Sequence, residues 1–252
     1  MSGVSWPTLL DRLISGSDLT QREAYEAMSE IMAGAASESQ IAALLVALRA
    51  KGETAEEMTG LVDAMVDASV QVDGGEPVVD SVGTGGDKSG TFNISTTAAF
   101  IAAGVGVKIA KHGNRAASSK TGSADVLEAL GFNLEMEPDA TVAMVREVGF
   151  GFFFAPRYHP AMRHAGPVRS SLGIRTVFNF LGPLTNPAAP PYQLIGAWSE
   201  EAAKLMADAL AGIDRELGVL QNELIAKFEA DVVESKQWHE RFRGDLACIL
   251  PE

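Results

Sequence analysis

The sequence predicts an α/β protein: a small N-terminal all-helical domain, then a larger α/β domain with a mostly parallel central sheet. Three observations predict this. Between residues 8 and 70, three hydroxyl-x-x-acid or hydroxyl-x-x-amide boxes each open a stretch whose apolar residues recur at helical spacing. From Val78 onward strand patterns alternate with helix patterns, as a parallel sheet requires. Between the two, Gly74, Gly75 and Pro77 punctuate a linker. The expected boundaries are 1–70 for the helical domain, 71–77 for a hinge and 78–252 for the α/β domain, with 215–252 a divergent helical tail.

Taken in order, the boxes are Thr20-Gln21-Arg22-Glu23, Ser37-Glu38-Ser39-Gln40 and Thr54-Ala55-Glu56-Glu57, followed by apolar runs such as Ile41, Leu44, Leu45 and Leu48. Gly34 and Gly52 close helices. Short amphipathic helices cannot bury both faces alone, so this unit should pack on the larger domain or on a second subunit. A Val-rich strand from Val78 then runs into Gly83-Thr84-Gly85-Gly86, and Ser95 or Thr96 is expected to cap the following helix. A second strand, Val107 to Ala110, should deliver Lys111-His112-Gly113-Asn114-Arg115 as a loop at its C-terminal end. Helices are expected over Ser123 to Leu130 and Asp139 to Val148, each closed by a glycine. Phe150 to Phe154 reads as a buried strand; its aromatics suit a strand core better than a stacking platform. A helix from Pro160, interrupted near Gly166-Pro167, leads into a Gly- and Pro-rich loop. Then come a strand over Gln193 to Ala197, a helix capped by Ser199, and a last helix marked by Leu217, Leu220, Leu224, Phe228 and Val232.

A formal charge of −13 argues against nucleic acid or an anionic membrane surface as partner, so an anionic ligand would need locally clustered cations. Cys248 is the single cysteine, which rules out an intrachain disulfide and favours a cytoplasmic location. The opening MSGVSWPTLLDRL has neither a basic leader nor a long apolar core, so no signal peptide or membrane span is expected.

The residues from Val78 to Asp125 have the make-up of an anion site. Glycines admit close approach of backbone N–H groups to a ligand, and the N-terminus of the next helix adds donors and the positive end of its dipole. In parallel sheets ligands sit at the carboxyl ends of the strands, where both loops fall. Lys111 and Arg115 are the natural cationic partners. His112 is placed for ligand contact rather than as a general base, and Ser118, Ser119 and Ser123 add hydroxyls, with helix capping an equal alternative for Ser123. Asp87 is also compatible with a simple Asx turn. A P-loop is excluded because Asp87 precedes Lys88, and a dinucleotide fingerprint because position 88 is not glycine. No nucleophile triad, paired carboxylate or Cys/His constellation stands on a recognisable motif, and no catalytic residue is assigned.

GTGGD, NIST, KHGNR and SSKTGSAD, in this order and at this spacing, resemble the anthranilate phosphoribosyltransferase family of tryptophan biosynthesis. The resemblance implies Mg²⁺-dependent transfer of the phosphoribosyl group of phosphoribosyl pyrophosphate (PRPP) to the anthranilate amine, without a covalent intermediate. It assigns PRPP to Gly83, Thr84, Gly85, Gly86 and Asp87, to Thr91, Asn93, Ile94, Ser95 and Thr96, and to Lys111, His112, Gly113, Asn114 and Arg115 with Ser118, Ser119 and Ser123. Ser95 would touch a pyrophosphate-bound Mg²⁺. Anthranilate would meet Gly83, Asn114, His159 and Arg169, the last pairing with its carboxylate, with Tyr158 beside them. Homodimers through the helical domain are implied as well. The likeness runs from about residue 8 to residue 214, and its end there implies a sheet incomplete or rearranged at the C-terminus. The tail lacks the family's acidic metal-binding loop, and Glu229 and Asp231 are not given its role. The tail leaves open a PRPP-binding chain with low or absent turnover. A pyrimidine nucleoside phosphorylase of the same architecture is a further reading, set back by its different glycine loop.

Overall fold

The computed structural model describes residues 4–72, 77–84, 93–116 and 121–213. Four helices come first: α1 (Trp6–Ile14), α2 (Gln21–Met32), α3 (Glu38–Lys51) and α4 (Ala55–Asp67). All three expected capping boxes form, each hydroxyl accepting from the N3 amide while the N3 side chain reaches back. Glu57 does more than close its box. Completely buried, it accepts from the Leu19 N–H at 2.9 Å and from Lys51 Nζ at 3.0 Å, tying α3 and the α1–α2 turn to α4. Gly60 lets α4 cross α2 closely: a Cβ there would stand 2.0 Å from the Gln21 carbonyl oxygen.

The sheet holds β1 (Val79–Gly83), β2 (Ile109–Gly113), β3 (Phe150–Phe154) and β4 (Tyr192–Gly196) in the order β3-β2-β1-β4, every pair parallel. After β1 the chain winds outward through β2 and β3, then crosses back to place β4 on the other side of β1. The direction reverses there, and that is where ligands bind in such sheets. One face of the sheet packs Val79, Ile109, Phe150, Phe152 and Phe154 under α5 (Ile94–Gly104) and α6 (Ser123–Ala129). The other packs Ala110 and Phe153 against α7 (Pro138–Val148), whose end is turned by left-handed Gly149, and against Tyr158 of α8 (Ala155–Tyr158). All five residues of β3 are buried, so its aromatics are strand core.

A 3₁₀ turn (Pro160–Arg163), α9 (Gly166–Leu172), α10 (Phe178–Leu184) and, after β4, α11 (Glu200–Ile213) complete the described chain. Val168, Phe178, Leu181 and Met206 from α9, α10 and α11 share one core with Met28, Leu44 and Met58 of the helical unit. Intramolecular packing thus covers the open faces of the short N-terminal helices. The chain is held where it leaves the helical unit: the Val70 N–H donates to Tyr158 O at 2.8 Å and, in the expected hinge, the Val72 N–H donates to Pro187 O at 3.2 Å. The remainder of that hinge at 73–76 and the predicted tail helix lie outside the described residues.

Several local expectations are corrected. Helix α5 begins at Ile94 with Asn93 at its N-cap, so Ser95 and Thr96 sit in the first turn and cap nothing. Strand β2 runs three residues further than expected, which moves Lys111, His112 and Gly113 from loop into sheet. The helix expected from Pro160 is a 3₁₀ turn, and α9 starts at Gly166-Pro167, where the missing proline N–H would have had no helical partner in any case. Part of the supposed Gly/Pro loop is α10, its apolar residues drawn into helix by the shared core. Among the described residues no helix is long and apolar enough to cross a membrane.

Candidate functional site

At their C-terminal ends β1 and β2 come apart. The β1–β4 ladder pairs five residues in register and the β2–β3 ladder another five, but β1 and β2 share the single pair Val79–Ile109. A continued ladder would set Ser81 opposite Lys111 and turn the His112 N–H to the Ser81 carbonyl. Side chains take those groups instead. The His112 N–H donates to Asp80 Oδ1 at 3.3 Å, Lys111 Nζ donates to the Ser81 carbonyl, and Asn186 Nδ2 donates to both Asp80 Oδ2 at 2.9 Å and the Ala110 carbonyl at 2.8 Å.

Strand alternation sends Lys111 and His112 to opposite faces. Lys111, 1% exposed, reaches toward α5, and its Nζ lies 3.5 Å from Ser95 Oγ. His112, 4% exposed, turns toward α8 and stacks at a tilt on His159 with ring centroids 5.1 Å apart. Burial lowers the Lys111 ammonium below its ordinary pKa, partly offset by the charge of Asp80. Burial likewise pushes Asp80 up to about 6 against the pull of Lys111 and its hydrogen bonds. His112 falls to about 3, through burial first and then its neighbours His159 and Lys111, so it is a neutral imidazole at ordinary pH. Its Nδ1 is buried and has no hydrogen-bond partner among the described residues.

The remaining expected residues divide. Gly83 pairs with Gly196 at the end of the β1–β4 ladder, and the Thr84 N–H and hydroxyl both reach the Gly196 carbonyl, at 2.9 and 3.2 Å. Asn93 Nδ2 lies 3.4 Å from the carbonyls of both Thr121 and Gly122, joining the start of α5 to the start of α6. Gly113 leaves room for Ser123 and Phe152: a Cβ would come 2.2 Å from Ser123 Oγ and 3.1 Å from the Phe152 ring, so both would have to shift. Ser123 opens α6 as its first residue rather than capping it, and Gly122 holds the cap position. Ile94 is exposed, whereas Thr96 is buried with its hydroxyl unpaired among the described residues. Arg115 is not the free cation its loop position suggested: its two terminal nitrogens grip Glu128 at 2.6 and 2.8 Å, and one also touches Asp125 at 3.3 Å. His159 is buried, its Nε2 2.9 Å from the Thr185 carbonyl. Arg169 on α9 lies over the Phe178 ring at 4.8 Å, has no carboxylate partner among the described residues, and is lowered below its ordinary pKa by burial. Gly85, Gly86, Asp87, Thr91, Ser118 and Ser119 lie outside the described residues, as do Glu229 and Asp231.

Asp80, Ser81 and Asn186 were not expected here. A carboxylate inside the Val-rich run VVDSV was the one available signal, since a strand buried on both faces rarely holds a charge without a task. A depression of about 420 Å³ lined by Thr20, Gln21, Arg22, Tyr25, Glu56 and Asp63 lies on the helical unit and includes none of these residues.

The described residues hold no group of three or more His, Cys, Asp or Glu that would form a metal cage. A lone Ser95 hydroxyl fits Mg²⁺ only as one oxygen ligand of an ion that brings phosphate and water oxygens with it, which is the usual way Mg²⁺ is held.

The helical bundle domain of a glycosyl transferase family matches residues 7–69, and the a/b domain of a glycosyl transferase family matches residues 75–233. The anthranilate phosphoribosyltransferase of Methanopyrus kandleri is 54% identical over 215 residues, covering 84% of this chain. The chain belongs to the anthranilate phosphoribosyltransferase family. It spans 62% of the length of that relative, and about the same share of the others most like it. The crystal structure of the Thermus thermophilus family member superposes with a TM-score of 0.77 at 50% identity, covering 81% of this chain and 62% of that one. The Saccharomyces cerevisiae member, in complex with PRPP and Mg, gives 0.76 at 31% identity over 84% and 63%. The family match also runs past Asp214 to residue 233, further than the motifs alone carried it.

Proposed function

We propose that this member of the family transfers the phosphoribosyl group of PRPP to the amine of anthranilate, releasing pyrophosphate and N-(5-phosphoribosyl)anthranilate. The observation that carries this reading is the meeting of Lys111 Nζ and Ser95 Oγ, 3.5 Å apart, at the splayed C-terminal ends of β1 and β2. Asn93 joins the N-termini of α5 and α6 beside the same edge, and the yeast relative binds PRPP and Mg.

In this reading Lys111 supplies positive charge to the departing pyrophosphate, where a buried cation is worth more than an exposed one. Mg²⁺, when bound beside Ser95, neutralises further charge on the same group. Arg169, desolvated and without a carboxylate of its own, is suited to hold the anthranilate carboxylate through its planar fork. Neutral His112 and His159 pack together as an uncharged pair, and Asn114 follows the end of β2, exposed to solvent. Orientation and charge stabilisation carry the reaction, and no side chain need act as a covalent nucleophile. Two copies pairing through the helical unit, in the cytoplasm, complete the proposal.

Neither PRPP binding without turnover nor a nucleoside phosphorylase activity finds support among the relatives, which carry the name of the transferase. Incubation of the purified chain with Mg²⁺, PRPP and anthranilate, followed by loss of anthranilate fluorescence, tests the reading. Turnover that requires all three components is the expected result, and wild-type protein that leaves anthranilate unconsumed would overturn it.

A further inference from the structure

We propose that Asp80, acting with Asn186, is a positioning residue that aims Lys111 at the first turn of α5. This rests on the reading of that edge as a PRPP site. In a regular parallel ladder the Ser81 carbonyl would accept from the His112 N–H, and a lysine at position 111 would find no backbone acceptor there. Asp80 takes that N–H at 3.3 Å through Oδ1, and the Ser81 carbonyl becomes the acceptor for Lys111 Nζ. Asn186 then has three tasks. Its Nδ2 donates to Asp80 Oδ2 at 2.9 Å and to the Ala110 carbonyl at 2.8 Å, while its Oδ1 accepts from the Ala188 N–H at 2.9 Å. Asp80 is fully buried and Asn186 6% exposed, so every one of these bonds is made away from water, where a lost partner is costly.

The arrangement has a direction. Asp80 and Asn186 lie on the α7–α8 face of the sheet, whereas Lys111 leaves the opposite face toward Ser95 at 3.5 Å. Neither Asp80 nor Asn186 needs to touch substrate, and their effect passes through the strand backbone. Without them β1 and β2 can zip up by another pair, and Lys111 loses the carbonyl that fixes its reach.

The test compares wild type, Asp80→Asn, Asn186→Ala and the exchanged pair Asp80→Asn/Asn186→Asp by calorimetric titration with PRPP in Mg²⁺, with thermal melting to establish that each is folded. Asp80→Asn sets one amide nitrogen against another and should weaken PRPP about tenfold, the scale of one buried hydrogen-bonded contact. The exchange restores a donor facing an acceptor across the 80–186 link, turns an oxygen of the Asn186→Asp side chain toward the Ala110 carbonyl in place of a donor, and should recover part of the lost affinity, to within roughly threefold of wild type. Recovery of binding by the exchange is a result that a merely destabilising role would not give. If Asp80→Asn does not fold, Asn186→Ala decides in its place, with an expected loss of about threefold to tenfold. A folded Asp80→Asn that binds PRPP as wild type does, or a folded exchange variant that recovers nothing, overturns the proposal. Wild-type protein that fails to bind PRPP overturns the PRPP reading and this proposal with it, so the two failures are told apart.

Discussion

In α4 the early backbone amides are met from within a few residues, by Thr54 and Glu57, and the same carboxylate collects Lys51 and the Leu19 N–H. At the β1–β2 edge the equivalent groups are met from far along the chain: Asp80 by Asn186, 106 residues away, and Ser81 by Lys111. Both regions bury charge, but the helical unit bonds Lys51 directly to two carboxylates at 2.7 and 3.0 Å, whereas Lys111 Nζ bonds only neutral oxygens and feels Asp80 without touching it. A buried charge without a directly bonded counter-charge is expensive, and it is found in folded proteins mostly at sites of function. The comparison separates a region built for stability from one built for binding.

The largest expected effect follows from that difference. Lys111→Met should weaken PRPP by roughly 100-fold, the scale of a charge-assisted contact in a dry site, while thermal stability moves much less, because relief of a buried ammonium offsets the loss of the donor to the Ser81 carbonyl and of the charge facing Asp80. Titration calorimetry and melting on the same preparation measure both. A variant that loses stability and keeps affinity would make Lys111 a structural residue like Lys51, and the contrast would collapse.

Acid should also strike the two regions unequally. His112 has a folded pKa near 3 against an ordinary 6.5, so the unfolded chain binds a proton first as pH falls. The stability tied to its neutral form is fully present above about pH 6.5 and is lost progressively on acidification toward 3, at about 1.4 kcal/mol per pH unit. Asp80, raised to about 6, works with the opposite sign and loses its contribution as pH rises through that value. Replacing His112 with Gln should therefore blunt the decline in melting temperature between pH 7 and pH 5 by the equivalent of about 2 kcal/mol. An unchanged acid profile would show that His112 is solvated, contrary to its burial.

How much of this was legible follows the same division. The capping boxes, the closing glycines and the β3 aromatics obey rules of three or four residues, and each stands where such rules put it. Lys111 and His112 were expected in a loop because basic and glycine residues cluster there. In fact β3 offers β2 a full parallel partner as far as Phe154, and pairing extends the strand over them. Asn186 was invisible because its task is set by Asp80 and Ala110, and nothing local distinguishes it from any asparagine before a proline. The ion pair of Arg115 with Glu128 could not be read from its own string, because α6 supplies the partner thirteen residues on. The motif strings carried the family, but not which members of each string face a ligand.

Arg169 sits between the two regions, on a helix that shares the core of the helical unit, and carries no carboxylate among the described residues. Arg169→Lys keeps the charge but removes the planar fork and the stacking on Phe178, so it should raise the KM for anthranilate about tenfold or more and leave that for PRPP within twofold. Steady-state kinetics with each substrate varied in turn decide it. Equal rises for both substrates would assign Arg169 to the architecture of the site rather than to one ligand.

The smallest effect is expected from Thr54→Ala. It removes the hydroxyl that accepts from the Glu57 N–H at 3.3 Å, leaving Glu57 its other partners. Loss of an N-cap costs about 1 kcal/mol, a melting shift of roughly 2–4 °C for a chain of this size. PRPP affinity should not move, because the main partners of α4 among the described elements are α2, α10 and α11 rather than the strands and helix that carry Lys111 and Ser95. Should affinity fall along with the melting temperature, the shared core that joins Met58 to Phe178 would be transmitting the change to the strand ends. The helical unit would then be part of the binding machinery instead of the frame that holds it.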